Sequence, residues 1–234
     1  MTDIDHRQEL IRRGRERLYP SLRNSSYLVL RRRRLLFTNW IAALSGTGLR
    51  VLDVGGRIQP YRPLFGNKVS QYLSVDLLVT PLLDVRGDAC ALPFPDNCFD
   101  VLLCAQMLEY LPEPSLGIAE MRRVLKPGGT LLLSVAAFYP RAVDEEHWRF
   151  LRAGVRHLLK DFQTAEIVPE GSSLAGFVRS CEVVFGIFAR VTFVRTLLSW
   201  TLFPLMNVAG LVLESLAASS NDQAAGNYSV CARK

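Results

Sequence analysis

From residue 48 to residue 136, short apolar runs alternate with amphipathic segments, and most runs stop at an acid or a glycine turn. Runs at 50–54, 71–76, near 82–86, 98–104 and 130–136 read as strands; the last is almost wholly apolar, as expected of a central strand covered on both faces. Leu30, Phe37, Ile41 and Leu44 recur at helical spacing in a helix predicted over 27–44. Ser25-Ser26 precede it as N-cap, and Gly46 and Gly48 end it. A weaker, polar helix is predicted over 6–18, and Pro60–Gly66 reads as a short helix or turn. A further helix over 114–126 is expected to stop at Lys126-Pro127-Gly128-Gly129, with glycine relieving a left-handed cap. Beyond 150 the pattern predicts a helix over 151–161, a strand at about 163–168, a long apolar helical stretch over 172–217 and a closing strand near 227–234. This alternation implies an α/β fold with a mostly parallel sheet.

The turns carry the chemistry. Val51-Leu52-Asp53-Val54-Gly55-Gly56 ends a strand on an acid and two glycines, and Tyr72-Leu73-Ser74-Val75-Asp76-Leu77 ends the next on a second acid. Gly87-Asp88-Ala89 with Leu92-Pro93-Phe94 follows, and then Val124-Leu125-Lys126-Pro127-Gly128-Gly129 runs into Thr130–Leu133. Strand-end carboxylates lie at the carboxyl edge of a parallel sheet, where open α/β folds bind ligands. In this order the four blocks resemble the class I S-adenosylmethionine-dependent methyltransferases, and more narrowly the small type 11 methyltransferase domain, over roughly 48–136. The resemblance implies a Rossmann-like three-layer sandwich with seven strands, the last antiparallel, and a helical insertion before that last strand.

The resemblance also implies a site for S-adenosyl-L-methionine. Asp53 and Gly55 stand at the acid and first glycine of the family's first motif, and Gly56 follows. Arg57 and Gln59 replace the two later glycines, and Arg57 could pair with the cofactor's carboxylate. Asp76, with Leu77 beside it, matches the acid that accepts the ribose hydroxyls, and Asp88 and Ala89 match the adenine-binding turn. Cys104 lies at the end of strand four, where donor faces acceptor. There Glu109 retains the family's acid, while Tyr110 stands in place of a histidine. Methyl transfer needs alignment and exclusion of water, and needs a base only for a poorly acidic nucleophile. His147 and Glu109 are the catalytic candidates: His147 as a base beside Asp144, Glu145, Glu146 and Trp148, Glu109 to orient an acceptor. A packing role for His147 and a capping role for Glu109 stay open.

Charge changes the picture at one end. Residues 1–34 hold ten arginines against four acids, which equals the whole net charge of +6. Such an arm can meet an anionic membrane, a nucleic acid or an acidic partner, or simply form a solvated helix face. The chain is therefore divided into a basic helical arm over 1–47 and a methyltransferase domain over 48–234. The five cysteines are scattered without a CxxC pair, so they read as apolar core residues of a reducing compartment and no metal site is expected. The first residues lack the apolar core of a secretory signal.

Residues 196–213 hold no charge but are interrupted by Pro204, Asn207 and Gly210. Buried or lid helices, a membrane-facing insertion and a membrane span are the alternatives. The expectation is a cytoplasmic enzyme that associates peripherally with the anionic inner face of a membrane and methylates an apolar, lipid-linked or glycan-type acceptor. A cofactor-less interaction module and an RNA methyltransferase are the alternatives. Nucleic acid is the weaker partner, because no motif for a flipped base is present. A nicotinamide oxidoreductase lacks its G-x-G-x-x-G spacing here. The oligomeric state is left open.

Overall fold

A computed structural model describes residues 3–138, 144–188, 191–216 and 221–234. Two helices, α1 (Asp3–Leu18) and α2 (Tyr27–Ala43), precede β1 (Leu49–Val54), β2 (Val69–Asp76), β3 (Val85–Arg86) and β4 (Phe99–Ala105). Then come α3 (Pro114–Val124), β5 (Leu125–Ala136), α4 (Arg152–Leu158) and β6 (Thr164–Pro169). Three apolar helices follow, α5 (Ser173–Phe188), α6 (Thr192–Trp200) and α7 (Leu202–Leu216), before β7 (Asn227–Arg233). The described strands form one seven-stranded sheet in the order β3-β2-β1-β4-β5-β7-β6. Only β7 runs antiparallel to its neighbours. The order reverses between β1 and β4, so the carboxyl ends of these strands open a crevice there.

Side-chain alternation assigns the two faces of the sheet. Val51, Val101, Leu103 and Leu132 pack against Leu18 of α1, Phe37 and Ile41 of α2, and Tyr61 and Phe65. Leu52, Val54, Leu102, Leu131, Leu133 and Val135 pack on the other face, with Ile118, Met121 and Val124 of α3 and Val155 of α4. Helix α2 therefore belongs to the body, and the expected boundary at residue 47 does not follow the packing.

The four-arginine run is also divided by burial. Arg33 is 1% exposed and makes a bidentate ion pair with Glu170, at 2.7 and 2.8 Å. Ser134 and Ser229 each donate to the same carboxylate at 2.6 Å, and Asn227 at 2.9 Å. Burial pushes the Glu170 carboxyl up, but Arg33 and the hydroxyl donors outweigh it and hold it below the ordinary value.

One predicted ending is corrected. Helix α3 stops at Val124 and the chain turns extended at Leu125, so Lys126–Gly129 do not cap it. They form an irregularity in β5 instead, where Phe99 pairs with Leu125 but Val101 pairs with Thr130. Gly128, at φ +74°, takes the left-handed turn that this register shift requires.

Candidate functional site

The crevice holds two adjoining cavities. The smaller, about 550 Å³, is lined by Gly55, Arg57, Asp76, Leu77, Gly87 and Ala89, with Gln106 and Met107 opposite. That volume lies within the usual range for a small-molecule site. The larger, about 730 Å³, is lined by His6, Arg13 and Arg17 of α1, by Arg33 and Arg179, and by Glu109. Gly55, Arg57, Leu78, Gln106 and Tyr110 line both, so a ligand in one faces a ligand in the other across these residues.

The wall between them rests on backbone constraints. Gly55 sits at φ +80°, and a Cβ there would lie 2.6 Å from Met107 Cγ; its N–H donates to the Val75 carbonyl at 2.8 Å. A Cβ on Gly56 would lie 2.4 Å from Asp53 Cγ. Both glycines are therefore needed for the turn to approach the sheet edge. Gln59 has a left-handed backbone, at φ +43°. Its amide donates to Ser74 Oγ at 3.0 Å and to the Leu82 carbonyl, tying the turn to the loop after β2. These bonds offset a left-handed cost on the order of 1–2 kcal/mol. Helix α1 lies against the same turn: a Cβ on Gly14 would stand 2.7 Å from the Ile58 carbonyl oxygen.

The sequence-derived site residues separate into three groups. Gly55, Arg57, Asp76, Leu77 and Ala89 line the smaller cavity. One Asp76 oxygen accepts from the Leu78 N–H at 2.8 Å, and no hydrogen bond from the described residues engages the other. Asp53, Gly56 and Asp88 support the cavity without lining it. Asp53 is buried on the α1–α2 face, where Tyr72 donates to it at 2.7 Å; burial raises its carboxyl to about 7. Asp88 is exposed and closes an Asx-turn on the Cys90 N–H at 2.8 Å.

Cys104 and His147 form the third group. Cys104 has no exposed surface, and its side chain points into the α3-side core, where burial pushes its thiol well up. It lines neither cavity, because alternation along β4 turns it away; the next residues, Ala105, Gln106 and Met107, reach the crevice instead. His147 is exposed and lines neither cavity, although its backbone N–H donates to the Glu109 carbonyl at 2.8 Å.

Glu109 lies in the larger cavity and is 2% exposed. One oxygen accepts from the Ala136 N–H; the other, Oε2, is buried without a partner. Burial pushes its carboxyl above the ordinary value. Gln106 was missed as a site residue. It stands at φ +56°, donates to Ser134 Oγ at 3.2 Å, and lines both cavities. A polar residue closing an apolar strand was the available signal.

Residues 52–133 match the methyltransferase-domain family. Over that segment, about a third of its length, the chain is similar to the S-adenosylmethionine-dependent methyltransferase domains. Among its relatives is a demethylmenaquinone methyltransferase of Renibacterium salmoninarum, 38% identical over 114 residues, 44% of this chain and 47% of that one. A ubiquinone biosynthesis O-methyltransferase of Pseudomonas putida is 29% identical over 177 residues, 67% of this chain and 69% of that one. The chain spans about half or less of the length of the first curated relatives it matches. In fold it is similar to an S-adenosylmethionine-dependent methyltransferase of Archaeoglobus fulgidus. That similarity has a TM-score of 0.55 and 14% identity, covering 86% of this chain and 94% of that one. S-adenosylmethionine is the cofactor, and the smaller cavity fits it: two glycines at close approach and, among the described residues, a strand-end carboxylate with one oxygen not hydrogen-bonded and Arg57 without an ion pair.

Proposed function

We propose that this methyltransferase transfers a methyl group to a lipophilic acceptor whose polar head enters the larger cavity. The observation that carries the reading is the shared wall of Gly55, Arg57, Gln106 and Tyr110, which sets the two cavities face to face. When bound, the cofactor supplies an electrophilic methyl on a sulfonium, and in-line transfer returns the C–S electron pair to sulfur. Asp76 would hold the ribose, and Arg57 the cofactor's carboxylate. Glu109 is better placed than His147 to take a proton from the acceptor, because it lines the cavity with an unpartnered oxygen and a raised affinity for protons. Two quinone-pathway relatives support a lipophilic acceptor. Arg13 and Arg17 on the cavity wall, with Arg17 Nε buried and unpartnered, favour an acidic or strongly hydrogen-bonding head.

Calorimetric titration with S-adenosylhomocysteine tests the reading. Wild type should bind, and Asp76→Ala should weaken binding by about 5–100-fold, the loss of ribose hydrogen bonds totalling roughly 1–3 kcal/mol. No binding to the folded wild type, or unchanged affinity in Asp76→Ala, would overturn it.

A further inference from the structure

Helices α5–α7 are built inside out. Along α7 the buried positions are Phe203, Asn207 and Gly210, spaced as one helical stripe. Asn207 donates to the carbonyls of Leu22 and Asn24 at 2.9 and 3.2 Å, and a Cβ on Gly210 would lie 2.7 Å from Leu28. The opposite side of α7 exposes Leu205, Val208, Val212 and Leu213. Helix α5 repeats the arrangement: Arg179 and Glu182 are buried, while Phe177, Val184, Phe185 and Ile187 face outward. Helix α6 buries nothing and exposes Phe193, Val194, Leu197 and Trp200. A helix in water turns its polar residues out; here charge, amide and glycine face the protein beside Ala175, Val178 and Phe203, and most of the large apolar side chains face away from it.

The charge at this surface has one sign. Arg195 of α6 is exposed among the apolar residues, and the Arg23 guanidinium lies 3.4 Å from the centre of the Trp200 ring. The acids of these helices are turned inward: Glu182 is buried, and Glu214 accepts from the Ser172 N–H at 2.7 Å. A large apolar face carrying arginines and a tryptophan matches the chemistry of an anionic bilayer surface. Residues 192–215 are long and apolar enough to cross a membrane. The chain breaks at Thr201, however, leaving helices of nine and fifteen residues. The longer spans roughly 22 Å at 1.5 Å per residue, short of a hydrocarbon core of about 30 Å. The geometry fits helices that lie in the interface.

We propose that the outer face of α5–α7, with Arg23 and Arg195, docks this protein onto an anionic lipid bilayer. The loop before α2 joins that face to the larger cavity: Arg23 stacks on Trp200, and the neighbouring Asn24 and Ser26 line the cavity. Docking therefore brings the acceptor side of the site to the lipid. That consequence rests on the proposed function; the docking itself does not.

Flotation with vesicles of phosphatidylglycerol and phosphatidylcholine tests it, using the whole chain without cofactor. Wild type should float with the mixed vesicles at low salt, less with pure phosphatidylcholine, and less again as salt screens the arginines. The triple variant Phe193→Ser, Leu197→Ser, Trp200→Ser should bind at least about tenfold more weakly, through loss of buried apolar area. It should keep its melting temperature, because α6 buries no residue. Leu116→Ser, on exposed α3, should bind like wild type. Absence of flotation with mixed vesicles, or equal flotation of the triple variant, would overturn the proposal. So would a self-association that the triple variant abolishes without any vesicle binding, since a second copy would then cover the face. Failure of S-adenosylhomocysteine to bind would leave these outcomes intact.

Discussion

The sheet body and the α5–α7 layer are both rich in Leu, Val and Phe, yet they use them oppositely. In β1, β4 and β5 the apolar side chains have essentially no exposed surface, packed between α1–α2 on one face and α3–α4 on the other. In α5–α7 the buried apolar set is small, with Leu28, Ala175 and Val178 packed against Met206 and Leu211. Most of the large apolar residues there point outward. Hydrophobicity alone thus does not say where a segment is buried. A strand between two helical layers has covering partners on both sides, whereas α5–α7 pack on one side only, through polar residues such as Arg179 and Asn207 as well as Ala175 and Val178.

The largest effect should come from inside the body, at the buried cluster that ties α2 to the sheet. Glu170 joins Arg33 of α2 to Ser134, Asn227 and Ser229 of the sheet. Glu170→Ala leaves Arg33 buried without its counter-charge and should cost about 3–5 kcal/mol, read by urea denaturation. Because the folded carboxyl is held below its unfolded value, the stabilisation is complete above the unfolded pKa of about 4.3 and is lost as pH falls through the lower folded value. The gap between wild type and Glu170→Gln should therefore narrow only in acid. A gap that is constant down to pH 3 would contradict the pairing.

A matched pair of substitutions sharpens the contrast next. Leu132→Ala, at 0% exposure in the sheet, should cost about 2–5 kcal/mol. Leu197→Ala, at 50% exposure on α6, should stay within about 0.5 kcal/mol. Similar losses in the two variants would mean that α6 is packed in solution and that the inside-out description fails.

A pH-dependent effect is expected at Asp53, beneath the glycine turn. Burial raises its carboxyl to about 7, so the protonated form favours folding, and this contribution declines as pH climbs from about 4 through 7. Relative to wild type, Asp53→Asn should gain stability between pH 5 and 8. A pH-independent difference in melting temperature would show that Asp53 is ionised throughout.

Much of the body was legible in the sequence because its information is local. Asp53, Gly55 and Asp76 fall at or just after strand ends, and turn spacing alone brings Gly55 and Asp76 to the crevice, with Asp53 buried beneath it. Cys104 lies on the core side because the same alternation decides its face, and the residues after it, Ala105 and Gln106, line the crevice instead. Gln59, standing where the resemblance places a glycine, has a left-handed backbone accommodated by bonds to Ser74 and Leu82, remote in sequence.

By itself, then, the chain determined the order of strands and helices and the identity of the cofactor edge, since both follow from spacing and turn chemistry between near neighbours. Tertiary structure decided which arginine of 31–34 is buried, that α1 walls the larger cavity, and that Asn207 and Gly210 mark the inward side of α7. Each of these depends on partners brought together across long stretches of chain, such as Arg33 and Glu170. Periodicity measures how polar and apolar residues are spaced along a helix, and only packing shows which side has a neighbour.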